Sequence, residues 1–323
     1  MMGLIKRKTP RLVKGMIPRK LRSFLRGRLE LSQHSSPQDS LADLTQTECP
    51  IILDSPHTGL CELAGPRKYG NAEWRTIHDD LATYSVDKHL FSPNVLRKGW
   101  EWTQTAYGLK KLGMLKPDYS AVGVGAGREG LIFWLGDRLR EVVATDLYGN
   151  TAWSGRYGRE ADSTILNDPS RFCPRPIKLD GIRFLTMDGT RLQFPDQSFD
   201  ISWSLSSIEH FGGHHKAAQA VREMARVTRT NGIVVIATEY LLLEEYSHPE
   251  YFNKQQLLKY VVHASPALEL VEPIDFSFPP VEYLIDSIVF PNEVSRRRRH
   301  VVLNDGHVQW TSILLFMRKT NGN

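Results

Sequence analysis

The stretch "SAVGVGAGREGLIFWLGDRLREVVATDLYG", Ser120 to Gly149, decides the fold. It reads as strand, glycine loop, helix, strand and terminal acid, one βαβ unit of a nucleotide-binding sheet. Gly125, Gly127 and Gly130 spell G-x-G-x-x-G, and Asp146 follows about twenty residues on, where a dinucleotide fold places its ribose-binding acid. Gly123, Gly125 and Gly127 also spell a shorter G-x-G-x-G loop. The two patterns imply different ligands, and the stretch alone supports both.

Downstream, strands and helices alternate. "IRFLTMD" and "SFDISWSL" read as strands, "KAAQAVREMARVTR" as a helix ended by Asn231-Gly232, and "GIVVIATEY" as a buried strand. A helix over "NKQQLLKYVVHA" leads to the strand candidates "LELVEPIDF" and "HVQWTSILLFMRK". With "YSAVGV" and "EVVATD" this makes a seven-stranded, mainly parallel α/β sheet, doubly wound with helices on both faces. Upstream, "NAEWRTIHDDLATYSVDKHL" and "EWTQTAYGLKKLGML" have helical spacing and form an N-terminal helical extension. The expected organisation is a basic amphipathic tail over 1–35, a linker and helical cap over 36–115, and a nucleotide-binding domain over 116–323. An irregular insertion over 150–181 is longer than an ordinary connection and suggests an added cover on the nucleoside side.

The net charge of +5 belongs to one end of the chain. Residues 1–28 carry ten Lys or Arg and no acid, which leaves 31 basic against 36 acidic residues elsewhere. Leu4, Ile5, Leu12, Val13, Ile17, Leu21, Phe24 and Leu25 are interleaved with those charges, so the segment can lie on an anionic membrane surface. A solvated leader and a nucleic-acid arm are the other readings. Pro10 and Pro18 prevent one unbroken helix, and no continuous apolar run precedes a cleavage site. Three widely spaced cysteines (Cys49, Cys61 and Cys173) suggest neither zinc nor disulfides, and the expected setting is the cytoplasm, with peripheral contact at the inner membrane surface. The four arginines Arg296–Arg299 read as a solvated loop.

A dinucleotide needs backbone N–H groups aimed at a pyrophosphate. S-adenosylmethionine (SAM) has no phosphate; its loop needs the close backbone approach that glycine permits. Asp146 suits both, since a carboxylate accepts from paired ribose hydroxyls. Beyond it, Met187-Asp188-Gly189 puts a second carboxylate on the same sheet edge, and "LQFPDQSFDISWSLSSIEHFGG" ends a strand in a polar Ser/Glu/His run. This series, from about Glu101 to Arg318, resembles the class I SAM-dependent methyltransferases, in particular their small-molecule, type 11-like branch. That branch has a V-G-x-G-x-G loop, an acid ending strand two, an aspartate after strand three, an F-D strand with a polar end, and an E-x-x-R-V helix before a Gly turn. The resemblance implies a Rossmann-like methyltransferase fold with "HVQWTSILLFMRK" inserted antiparallel, and SAM as cofactor. The family's acid two positions before the first loop glycine is replaced here by Ala121.

The expected cofactor residues are Gly123, Gly125, Gly127, Asp146, Leu147, Asp188, Gly189 and Ser204. Gly130 then reads as a helix–strand packing residue. Methyl transfer to an alcohol gains from a base, and His210, after the fourth strand, is the first candidate, with Glu209 beside it. Glu239, Tyr240, His214 and His215 lie on the same edge; no acid or Cys spacing makes the His pair a metal site. Trp100, Trp102 and Trp153 are candidates to cover the cofactor or to pack helices. No N-P-P-Y, D-P-P-Y or Pro-Cys element supports nucleic-acid base methylation. The resemblance points instead to a hydroxyl or amine on a small molecule or a sugar- or glycan-type acceptor. An NAD-dependent oxidoreductase and a non-catalytic SAM-fold module recruited through its basic tail are the rival readings.

Overall fold

The computed structural model describes residues 57–91, 97–149, 161–277, 288–289 and 301–321. The basic tail over 1–35, Cys49, Trp153 and Arg296–Arg299 lie outside them. The described residues belong to one compact unit, 51–323. Along the chain run β1 (Glu62–Leu63), α1 (Ala72–Ala82), α2 (Arg97–Lys111), β2 (Ser120–Val124), α3 (Gly130–Gly136), β3 (Glu141–Asp146) and β4 (Ile182–Thr186). Then follow β5 (Phe199–Leu205), α4 (His214–Val227), β6 (Thr228–Leu241), α5 (Lys254–Leu257), β7 (Leu268–Leu270), β8 (Ile288–Val289), β9 (Val302–Asn304) and β10 (Gln309–Lys319).

Five strands, in the order β4-β3-β2-β5-β6, pair in parallel, and β10 pairs antiparallel to β6. The position beyond β10 is shared by three short strands: β7 at Met317–Lys319, β1 at Ile313–Leu314 and β9 at Gln309–Trp310. β8 extends β9 in parallel. The seven strand positions expected from sequence are therefore present, but the seventh is a mosaic, since "LELVEPIDF" contributes only Leu268–Leu270.

Both faces of the sheet are covered. Successive residues of a strand point to opposite faces: Glu239 of β6 meets Arg97 of α2, whereas the neighbouring Thr238 donates to Glu209, which leads into α4. α1 starts where Asn71 caps the Trp74 N–H at 3.1 Å, and it buries Trp74, Ile77, His78 and Leu81, one helical stripe. Trp100, Tyr107 and Leu109 of α2 are fully buried, each worth about 1.5–3 kcal/mol of apolar burial. A Cβ on Gly108 would overlap the Phe316 ring, so glycine lets α2 lie directly on β10.

Two local expectations need correction. α4 ends at Val227, ahead of Asn231-Gly232; Thr228 already pairs with Phe199, and the Asn-Gly pair forms an irregularity in β6 where the register to β5 shifts. Asn231 takes φ +66°, and a Cβ on Gly232 would stand 2.6 Å from the Asp200 carbonyl, so the pair serves a bulge. Gly130 packs against the segment after α1, where a Cβ would lie 3.0 Å from Ser85 Cβ, and not against a strand. Among the described residues no helix is long and apolar enough to cross a membrane.

Candidate active site

The carboxyl ends of β2, β3, β4 and β5 open into a cleft of about 770 Å³. The strand–loop–helix unit builds its floor. Gly125 and Gly127 line it at φ +67° and +51°, left-handed values that favour glycine. A Cβ on Gly125 would sit 2.7 Å from Ser207 Cβ, and the Ser207 hydroxyl donates to the Gly125 carbonyl at 2.7 Å. The Gly127 N–H donates to Asp146 Oδ2 at 2.9 Å, and the Leu147 N–H to Oδ1 at 2.7 Å. The terminal acid of β3 thus fixes the loop as well as facing the cleft. Leu147 stands 39% exposed on the rim, an apolar surface suited to a flat ring. Asp188 and Gly189 also line the cleft, and Asp188 Oδ1 accepts from the Thr190 N–H and hydroxyl, both at 2.8 Å.

Three expected site residues face elsewhere. Gly123 lies beneath the loop: a Cβ there would overlap the Trp203 indole, so its glycine serves sheet packing. Ser204 is fully buried and donates across the sheet to the Val124 carbonyl at 2.6 Å. Glu209 is fully buried behind the cleft, where Oε2 accepts from Thr238 at 3.0 Å and Oε1 has no partner among the described residues. Burial pushes its carboxyl up, against the pull of His210. A catalytic role for Glu209 would require direct access that this position does not provide.

His210 does line the cleft. Its Nδ1 lies 3.3 Å from Glu250 Oε2, an acid forty residues away that sequence spacing gave no reason to connect with it. Burial pulls the imidazole pKa down, but the Glu250 hydrogen bond and the charges of Glu209, Glu250 and Glu239 outweigh it and leave the value raised. Such a pairing orients a histidine and strengthens it as a base. His214 instead donates from Nε2 to the Tyr251 carbonyl, 2.9 Å away, and stacks on Tyr260, while His215 meets the same ring edge-on. Both are structural.

The upstream extension closes the cleft. Val86, Asp87, Lys88, His89 and Leu90, after α1, line one wall, and Lys98 and Trp102 of α2 line the next. Arg128, just past the glycine loop, pairs with Asp87 at 2.9 Å and ties the wall to the floor. Glu129 beside it is 7% exposed, lines the cleft, and accepts from Trp203 Nε1 at 3.1 Å. Burial pushes its carboxyl up to about 8. Trp100, by contrast, is pure core. Ala161 of the insertion also reaches the cleft, and the described part of that insertion carries only short turns at Ser163–Leu166 and Pro169–Phe172. Among the described residues, the metal-like grouping His57, Glu62 and Asp275 lies at the β1 edge; Glu62 pairs with the buried Lys68 at 3.0 Å and Asp275 with Arg67 at 3.5 Å.

The fold and cleft suit a nucleoside without a phosphate. The glycine backbone offers close approach, and Asp146 and Asp188 set two carboxylates on the cleft lining where ribose and base polar groups can meet them. A family model described as a methyltransferase domain matches residues 122–236, from β2 into β6. Among solved structures, a putative methyltransferase from Bacillus halodurans is 19% identical over 66% of this chain and 98% of its own, with a TM-score of 0.41. A putative sarcosine dimethylglycine methyltransferase from Galdieria sulphuraria is 13% identical over 68% and 85%, with a TM-score of 0.44. A geranyl diphosphate methyltransferase in complex with SAM is 17% identical over 68% and 86%, with a TM-score of 0.42. The matched segment, which covers the glycine loop, Asp146, Asp188 and the strand that leads to His210, is a methyltransferase domain, and the chain is an enzyme that carries it.

Proposed function

We propose that the cleft binds SAM and that the enzyme methylates a hydroxyl or amine on a small-molecule or sugar-type acceptor, with His210 as general base. The observation that carries this reading is that the Gly125–Gly127 loop, locked by Asp146, and a histidine paired with Glu250 line one cleft. SAM, when bound, supplies a methyl group on a positively charged sulfur. The chain's residues hold, orient and deprotonate. Gly125 and Gly127 allow close backbone approach, Asp146 has the chemistry to accept from ribose hydroxyls, and Leu147, Asp188 and Gly189 would border the base. Alignment of this kind is worth about 7–11 kcal/mol in a well-oriented pair. A general base adds about 10²–10⁴-fold for an alcohol acceptor.

The small-acceptor reading is supported by the cleft's size. A space of about 770 Å³, walled by residues 86–90, is that of a small-molecule site. Screening methyl transfer from labelled SAM to fractionated cell extract tests it: labelled small molecules are expected, and label confined to RNA or DNA would overturn it. The basic segment 1–28 would bring the enzyme to an anionic membrane surface. Co-sedimentation with phosphatidylglycerol vesicles, lost when those residues are deleted, is the expected result; equal binding of the truncated chain would contradict it.

A further inference from the structure

Ser206, on the cleft lining just past β5, takes φ +49°, a left-handed value that an L-residue adopts only when its surroundings impose it. The next residue carries that turn into the site. The Ser207 hydroxyl donates to the Gly125 carbonyl at 2.7 Å, and the His210 N–H donates to the Ser207 carbonyl at 3.0 Å. The glycine loop and the proposed base therefore both depend on the conformation at Ser206. The Ser206 N–H is tied to the Ala237 carbonyl of β6 at 2.9 Å, and its hydroxyl donates to Glu101 Oε1 of α2, also at 2.9 Å. Lys98, one turn earlier on the same helix, donates to the Leu205 carbonyl at 3.0 Å.

Glu101 is fully buried and lies outside the cleft lining, and a buried carboxylate is a costly way to pack a helix on a sheet. Burial opposes its charge, but Lys98 at 3.3 Å and Arg97 at 3.6 Å outweigh it and hold the carboxyl below its ordinary range. Ser312 of β10 donates to the same oxygen that Ser206 reaches. The acid is thus fixed from the core side and presents Oε1 to a hydroxyl on the cleft. We infer that Glu101 is a positioning residue: from the buried face of α2 it holds Ser206 in the left-handed turn that sets the Gly125 loop and His210 in one arrangement. The assignment rests on the SAM reading above. It gives the upstream helix a part in the chemistry beyond walling the cleft.

Calorimetric titration of the full chain with S-adenosylhomocysteine tests the assignment through a pair of substitutions at Ser206, with circular dichroism melts reporting the fold. Ser206→Ala removes the hydroxyl but keeps the left-handed penalty, which then falls on the loop. Its affinity is expected to drop about 5- to 30-fold, the cost of an L-residue in that region. Ser206→Gly also removes the hydroxyl, yet glycine takes that φ freely, so binding is expected to recover to within about threefold of wild type. Glu101→Leu should weaken binding as Ser206→Ala does and add little in the Ser206→Gly background, a coupling that loss of core packing alone would not show. Wild-type affinity in Ser206→Ala would overturn the assignment. So would an equal loss in Ser206→Ala and Ser206→Gly, which would mean that the hydroxyl meets the ligand itself, or an equal cost of Glu101→Leu in both backgrounds. Each of these leaves the cofactor reading intact. Failure of wild type to bind S-adenosylhomocysteine would overturn both.

Discussion

Replacing Gly125 with alanine perturbs the cleft where the glycine loop meets Ser207. At φ +67° an L-residue costs about 1–2 kcal/mol relative to glycine. The new methyl would stand 2.7 Å from Ser207 Cβ, against an ordinary carbon separation of about 3.5–4.0 Å. Ser207 must therefore move, and its 2.7 Å hydrogen bond to the Gly125 carbonyl goes with it, a further loss of about 0.5–1.5 kcal/mol. Together these come to about 2–4 kcal/mol once the displacement is included. Strain in the loop can relax only by moving backbone that lines the cleft, so most of the effect should appear in ligand affinity. At about 1.4 kcal/mol per decade this is about 30- to 700-fold weaker S-adenosylhomocysteine binding. Calorimetric titration measures it, with circular dichroism reporting the fold. Binding within threefold of wild type, in a variant of unchanged melting temperature, would refute the loop conformation or its place in the site.

Three further outcomes follow from the geometry. If His210 is the base, it must be neutral to act, so the acidic limb of the pH–rate profile should lie above the ordinary imidazole value of about 6.5; Glu250→Gln should lower both that limb and the rate, and an unmoved limb would separate the pair from catalysis. In the ligand-free protein, Glu129 stays protonated up to about 8 while the unfolded chain ionises near the ordinary carboxyl value, so wild type loses stability as pH rises through that window; thermal melts should show Glu129→Gln gaining on wild type between pH 5 and pH 8, and a constant difference would contradict the burial of that charge. Arg97 pairs with Glu239, donates to Ser312 at 2.9 Å and lies 3.6 Å from Glu101, all buried, so Arg97→Met should cost about 3–5 kcal/mol in urea denaturation by leaving buried carboxylates uncompensated; a loss under about 1 kcal/mol would show that water reaches the cluster.

Residues whose role is set by local chain geometry were legible in the sequence. The loop at Gly125 and Gly127, the acid ending β3, the Asp188 turn and the strand leading to His210 follow from strand alternation and glycine placement, and all reach the cleft. Gly123 shares the same motif, but its surroundings are set by Trp203, eighty residues on, and no local pattern reports that the indole fills its space. Ser204 and Glu209 failed for a related reason: a polar run at a strand end does not tell which members face the ligand, and hydrogen bonds to Val124 and Thr238 turned these two away. Glu250 and Lys98 join the site only through folding of distant segments, whereas Trp102 was already a candidate cover and does line the cleft. Glu129, an acid two residues past the loop, reaches the cleft from the start of α3, but nothing in the local pattern separates it from an ordinary surface acid at a helix start. The mosaic at the outer sheet position depends on pairing between chain ends, which a single sequence does not encode locally.

The central claim is that the cleft over Gly125–Gly127 takes a sulfonium nucleoside and no dinucleotide. Titration of the full chain with S-adenosylhomocysteine and with NADH under identical conditions tests it most directly. Micromolar binding of S-adenosylhomocysteine with no heat from NADH is the predicted result. Binding of NADH with none of S-adenosylhomocysteine would contradict it.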